Sequence, residues 1–208
     1  MDLENLSKTM ANAINELAKL PGIGKRTATR LVMFLIRQDP QYIKKLSESI
    51  ALLSTNLFLC RQCHNVSDAE ICNICSDMAR DTTILCVVQN IQDLIAIERS
   101  RVYNGIYHVL NGLISPIDGI TPDKIFVNDI PERLRNNDIN EIIFALPATV
   151  EGDTTAYYIF NMLKDVNSLY FSAIARGISI GGDIEYIDEL TLGKAIKNRI
   201  DFSKAIKK

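Results

Sequence analysis

Four cysteines stand as two CxxC units, Cys60-Arg61-Gln62-Cys63 and Cys72-Asn73-Ile74-Cys75, joined by a short polar stretch. Each unit lets two thiolates converge on one ion, and two units supply the four soft ligands of a tetrahedral zinc site. A shell closed by protein ligands leaves no position for water, so zinc held this way is expected to brace the chain and activate nothing. Two disulfides or a thioredoxin-like redox pair are the other readings of this spacing. Zinc is favoured because the opening Met1-Asp2-Leu3-Glu4-Asn5 is not expected to be a signal peptide. The fifth cysteine, Cys86, lies in the apolar run Ile84-Leu85-Cys86-Val87-Val88 and is expected to be a buried, inert strand residue. His64, beside Cys63, is expected to be a solvated neighbour of the site. His108 is expected to be a satisfied core or edge residue.

A second chemistry is cationic. Leu20-Pro21-Gly22-Ile23-Gly24 sits between helical patterns and has the form of a helix-hairpin-helix. Its glycines permit a tight turn that presents main-chain N–H groups at the start of the next helix, a cradle for phosphate. Lys19, Lys25, Arg26, Arg30 and Arg37 surround it, with no acidic residue between Glu16 and Asp39. Arg26 and Arg30, four apart, share one helical face with Lys25 beside them, a geometry suited to successive phosphates. Such binding ignores base sequence and weakens with salt. The alternative is an ordinary αα-hairpin with a solvated basic face.

A third possibility is carboxylate chemistry. Gln89 follows the run ending at Val88, and Glu151-Gly152-Asp153 follows a later run, Glu141 to Ala145. In a toprim-type sheet, acids at those two places meet around magnesium. A carboxamide is a poor magnesium ligand and cannot shuttle a proton, so catalysis is not expected. Glu151 and Asp153 are then read as an acidic knob for a basic partner, or simply as acids that favour a helix start. Gly181-Gly182-Asp183-Ile184-Glu185-Tyr186-Ile187-Asp188 superficially suggests a Walker B element, but no GxxxxGK[ST] loop accompanies it.

These residues need elements to hold them. From Leu3 to about Leu59 the apolar residues recur at helical spacing, through Leu6, Met10, Leu17, Ala28, Leu31, Leu46 and Leu53. Pro21-Gly22 and Asp39-Pro40 divide that stretch into three helices. Beyond Asp81, β-branched runs alternate with helical ones: strands over 82–88, 106–110, 141–145 and 168–173, and helices over 91–99 and 154–164. Interleaving of this kind predicts a mostly parallel sheet with helices on both faces. A turn, a short strand over 184–187 and a helix over 190–200 close the tail.

Composition is that of a globular protein, with 47% hydrophobic and 23% charged residues in 208. A net charge of −2 confines any nucleic-acid surface to a local patch. Apolar runs such as Leu31 to Ile36 are too short to span a bilayer, and the expected location is cytoplasmic, without a membrane partner.

Taken in order, the basic hairpin, the cysteine knuckles and the Ile84–Val88 run carry the first part of a resemblance. Tyr107-His108-Val109-Leu110, Leu113-Ile114-Ser115-Pro116-Ile117-Asp118-Gly119, Thr149-Val150-Glu151-Gly152-Asp153-Thr154 and Ala175-Arg176-Gly177 with Gly181–Tyr186 carry the rest. Together they closely resemble the RecR family of bacterial recombination mediators, over essentially the whole chain. The resemblance implies an α+β multi-part fold: a helix-hairpin-helix domain (1–56), a four-cysteine zinc finger (57–79) and an α/β toprim domain with a mostly parallel sheet (80–178). A C-terminal strand-helix tail with a Walker-B-like segment (179–208) completes it. It further implies a non-enzymatic, ring-forming homotetramer that clamps DNA in repair. With RecO and RecF, such a clamp promotes recombinase loading on single strands coated by single-strand-binding protein. Zinc then falls on Cys60, Cys63, Cys72 and Cys75, DNA contact on Arg26 and Arg30 with Lys25 beside them, and partner contact on Glu151 with Asp153. The rival is a toprim-type magnesium-dependent nuclease or primase. The chain departs from the family at Gln89, where glutamate is usual, and at Ser179, where proline is common. It departs again at Leu146-Pro147-Ala148, where asparagine usually precedes the Thr-x-Glu-Gly turn, which puts the detailed form of that turn in question.

Overall fold

The computed structural model describes residues 7–201. Leu3 and Leu6 of the first helical pattern, and the last residues of the tail segment, lie outside the described residues. The chain divides between Leu57 and Phe58 into two compact units.

The first unit holds three helices, α1 (Lys8–Leu17), α2 (Lys25–Leu35) and α3 (Pro40–Thr55). The Ser7 hydroxyl accepts from the Met10 amide and the Asp39 carboxylate from the Gln41 amide, so both helices start on capping side chains. Pro40 occupies the first helical position of α3, where its missing N–H costs nothing. The core is small: Ile14, Ala28 and Val32 are buried, with Met10, Leu17, Ala18 and Ile23 packed around them. Helix α3 buries no residue at all. Ile43, Leu46, Ile50 and Leu53 on α3, and Leu31, Phe34 and Ile36 around α2, are exposed.

The second unit begins with a two-stranded antiparallel ribbon, β1 (Phe58–Leu59) and β2 (Val66–Ser67), and a single turn, α4 (Asn73–Ser76). There follow β3 (Asp81–Val88), α5 (Ile91–Ser100), β4 (Gly105–Val109), α6 (Ile130–Asn136), β5 (Glu141–Ala145), α7 (Val150–Leu163), β6 (Tyr170–Ala173) and α8 (Glu189–Lys197). Strands β4-β3-β5-β6 form one parallel sheet, with Cys86 opposite both Tyr107 and Ile143. The alternation of side chains sorts the core into two layers. Leu85, Val87, Ile106, Ile142 and Phe144 pack with Ile130, Ile159 and Leu163 of α6 and α7. Cys86, Val88, Tyr107, Val109 and Ala145 pack with Leu94 of α5. Cys86 is buried as expected, and burial pushes its thiol up to about 12.

Several local expectations are corrected. Residues 184–186 form a 3-10 turn in place of a strand, because Ile184 and Tyr186 alternate beside no ladder partner and both remain exposed. Helix α7 starts at Val150, since the Thr149 hydroxyl accepts from the Gly152 amide and caps it there. Helix α6 was not anticipated, although Pro131 stands at its start. His64 is not solvated: its ring stacks on Phe126 with centroids 3.9 Å apart and planes 7° from parallel.

Gly152 is required by a close approach. A Cβ there would overlap the carbonyl oxygen of Pro147, which is backbone and cannot swing aside. Gly152→Ala should lower stability by about 1–3 kcal/mol, the usual penalty of overpacking, read as a lower unfolding temperature in calorimetry.

Candidate metal centre and nucleic-acid interface

The ribbon and α4 bring Cys60, Cys63, Cys72 and Cys75 together with every Sγ within 4.8 Å of the others. The Sγ atoms of Cys63 and Cys72 are 3.5 Å apart. Thiolates about 2.3 Å from zinc in a tetrahedron lie roughly 3.8 Å from one another, so the cage has the size the metal needs. Backbone bonds shape each knuckle: the His64 amide donates to the Cys60 carbonyl (2.9 Å) and the Cys72 amide donates to the Cys60 sulfur (3.3 Å). Four sulfurs this close suit a divalent ion, which would take all four as thiolates. No disulfide occurs among the described residues.

The finger is joined to the sheet. The Val109 amide of β4 donates to the Cys63 carbonyl (2.8 Å), so the first knuckle bonds to the outer side of an edge strand. Ile74 of the second knuckle packs against both the cysteine cluster and the sheet layer containing Cys86 and Val88. His64 Nε2 lies 3.0 Å from Asp129 Oδ2. A left-handed backbone at His64 (φ 60°) turns its ring inward, between the knuckle and the residues preceding α6.

His108, fully buried, has Nε2 2.6 Å from the Phe126 carbonyl oxygen, which can only accept, so Nε2 carries the proton. Desolvation lowers its pKa to about 3 in the folded chain. The unfolded chain binds a proton at His108 below about pH 6.5 and the folded chain does not. Stability is therefore complete above that pH and falls as pH drops toward 3. Denaturant titrations between pH 6.5 and 4 should show His108→Gln losing less stability per pH unit than the wild type, by up to about 1.4 kcal/mol.

In the first unit, Leu20-Pro21-Gly22-Ile23 forms a turn closed by the Ile23 amide donating to the Leu20 carbonyl (3.1 Å), with Gly22 at φ 77°. Proline before a positive-φ glycine is the type II pattern. Gly24 then caps α2 without a side-chain bond, and the first intrahelical amide is that of Ala28. The amides of Lys25, Arg26 and Thr27 are left for an external acceptor. Lys25, Arg26 and Arg30 are all exposed, and none has a carboxylate within 4.0 Å among the described residues. Lys19 instead pairs with Glu16 (2.7 Å).

At the C-terminal ends of the parallel strands, Gln89 accepts through its main-chain carbonyl from the Gly112 amide (3.2 Å). Asn90 and Asp93 form the capping box of α5. Glu151 and Asp153 occupy the first turn of α7, where the helix dipole favours acids. Asp153 is not free: Arg176 Nη2 lies 2.5 Å from its Oδ1, and that hydrogen bond holds its carboxyl below the usual range.

The model of the RecR helix-hairpin-helix matches residues 10–53, that of the RecR four-cysteine zinc finger domain residues 57–77, the Toprim domain residues 83–174 and the RecR C-terminal model residues 177–200. The chain is 48% identical to Recombination protein RecR of Amoebophilus asiaticus, over 93% of this chain and 96% of that protein. It belongs to the RecR family. Recombination proteins RecR of Flavobacterium psychrophilum (45%, over 99% of both chains) and Porphyromonas gingivalis (45%, over 97% of both) are similar to it throughout. The cysteine cage is thus the RecR four-cysteine finger and a zinc site, and the Pro-Gly turn is the RecR hairpin. What sequence reasoning missed is Arg133 of α6, which reaches the RecR finger from 58 residues beyond Cys75. Pro131 was the one local signal that a helix carried it.

Proposed function

We propose that the chain is a non-enzymatic, DNA-binding recombination mediator in DNA repair, acting as a homotetrameric ring that clamps DNA. With RecO and RecF it promotes recombinase loading on single strands coated by single-strand-binding protein. The observation that carries this reading is the hairpin: Lys25, Arg26 and Arg30 stand exposed and uncompensated beside unbonded helix-start amides. One hairpin grips phosphate weakly, and several held in a ring convert weak contacts into avidity. The names of the relatives, Recombination protein RecR, support the process.

Assembly is supported by the uncovered apolar faces of α2 and α3, which a second copy would bury. The tail supports it too, because α8 buries no residue and leaves Leu190 and Ile196 exposed. The four functional parts are a hairpin domain (1–56), a finger (57–79), a toprim domain (80–178) and a tail (179–208). Glu151, half-buried at the start of α7, with Asp153 beside it, is the acidic contact for RecO. Gln89 and the pairing of Asp153 with Arg176 argue against a magnesium-dependent nuclease or primase. No described helix is long and apolar enough to cross a membrane, and a cytoplasmic location accords with zinc-bound thiolates.

Incubation with DNA, magnesium and nucleotides should give binding without turnover, whereas turnover would establish the enzyme. Solution mass, measured alone, with DNA and with RecO, should give a tetramer. A monomer at every concentration would overturn the ring.

A further inference from the structure

Arg133 of α6 is buried, with 7% of its surface exposed. A guanidinium taken out of water costs several kcal/mol unless it meets opposite charge. Among the described residues, no carboxylate lies within 4.0 Å of it: Asp129, from the same segment, faces His64 instead. What Arg133 does meet is the finger. Its Nη1 donates to the carbonyl oxygen of Gln62, between the ligands of the first knuckle, and its Nη2 donates to Cys75 Sγ at 3.6 Å. Its Nε is buried with no partner. Zinc held by four thiolates is a dianion, and a buried dianion needs compensation as much as a buried guanidinium does.

We propose that Arg133 is the counter-charge and positioning residue of the zinc site: one arm offsets the tetrathiolate at Cys75 and the other pins the first knuckle at Gln62. This role rests on the reading of the four cysteines as a zinc cage and deepens it, because it makes metal retention depend on the sheet domain. The two arms reach two different knuckles, so the guanidinium fixes their relative position as well as their charge. A methionine would keep most of the stem's packing while removing both donors. A lysine would keep the charge but only as a point, without the planar fork that spans both acceptors.

The test uses the full-length, metal-loaded protein. Zinc transfer to a colorimetric chelator is timed for wild type, Arg133→Met and Arg133→Lys. Cobalt-substituted samples report the thiolate-to-metal charge-transfer band, and thermal unfolding checks the fold. Loss of a residue bonded to a ligand typically weakens a site about 10–100-fold, so Arg133→Met should release zinc faster by that factor with a shifted band. Arg133→Lys should fall between the two. Wild-type release from Arg133→Met would overturn the proposal. Faster release with an unshifted band would also overturn it, leaving Arg133 a mechanical clamp. Should Arg133→Met not fold, Arg133→Lys decides: a shifted band with faster release supports the role, and no change in either refutes it. A wild-type chain that holds no zinc would defeat the cage reading itself, and this role with it.

Discussion

Cys63→Ser should yield a chain that loses its stoichiometric zinc and aggregates on purification. The expected effect is large because structural zinc contributes about 10–16 kcal/mol in isolated finger peptides, comparable with the whole stability of a domain. It also spreads beyond the finger. β4 is the outermost strand of the sheet and yet every residue in it is buried. Part of that cover is the first knuckle, whose Cys63 carbonyl takes the Val109 amide. Collapse of the knuckle uncovers a strand edge of Ile106, Tyr107 and Val109, and an apolar edge of that kind pairs with other chains. Metal analysis and light scattering during a thermal ramp would show it, with an unfolding temperature lowered by more than roughly 10 °C. A soluble Cys63→Ser protein with wild-type stability and DNA binding would refute the structural role of the metal.

Arg26→Ala combined with Arg30→Ala should have the opposite character: fold and oligomer intact, DNA retention gone. Both side chains are exposed and make no ion pair among the described residues, so their removal should change stability by less than about 0.5 kcal/mol. Each phosphate contact contributes about 0.7–0.9 to the slope of log affinity against log salt. Loss of two per subunit should flatten that slope by up to about 1.4–1.8 for each subunit engaged, and the proposed ring would multiply the loss. Fluorescence anisotropy with single-stranded and duplex DNA over a salt series measures it. An unchanged slope would place the DNA contact elsewhere, and a lowered unfolding temperature would make the arginines structural.

Local chemistry was legible in the sequence. The cysteine cage could be foreseen because each CxxC closes within one turn and needs only the two turns to meet. The hairpin could be foreseen because proline followed by glycine dictates its own turn, and Gly22 indeed takes a positive φ. Features made by distant residues were not legible. Arg133 sits in a stretch with weak periodicity, and its place under the finger depends on packing between segments 58 and 71 residues apart. His64 was misjudged for a related reason: its inward turn needs a left-handed backbone after Cys63 and a ring at Phe126 to land on. In the tail, the alternation over 184–187 looked like a strand, but alternation makes a strand only where another strand lies alongside.

Helix α3 spans 16 residues and hides none of them. Among the described residues, its hairpin neighbours bury three side chains, Ile14, Ala28 and Val32. On the proposed reading, association completes so thinly supported a domain, and its folding would then depend on how much protein is present. Dilution should melt the grip before it melts the sheet. If the proposed ring is what completes the hairpin domain, a dilute, newly made chain would hold DNA weakly and the assembled protein would outcompete it.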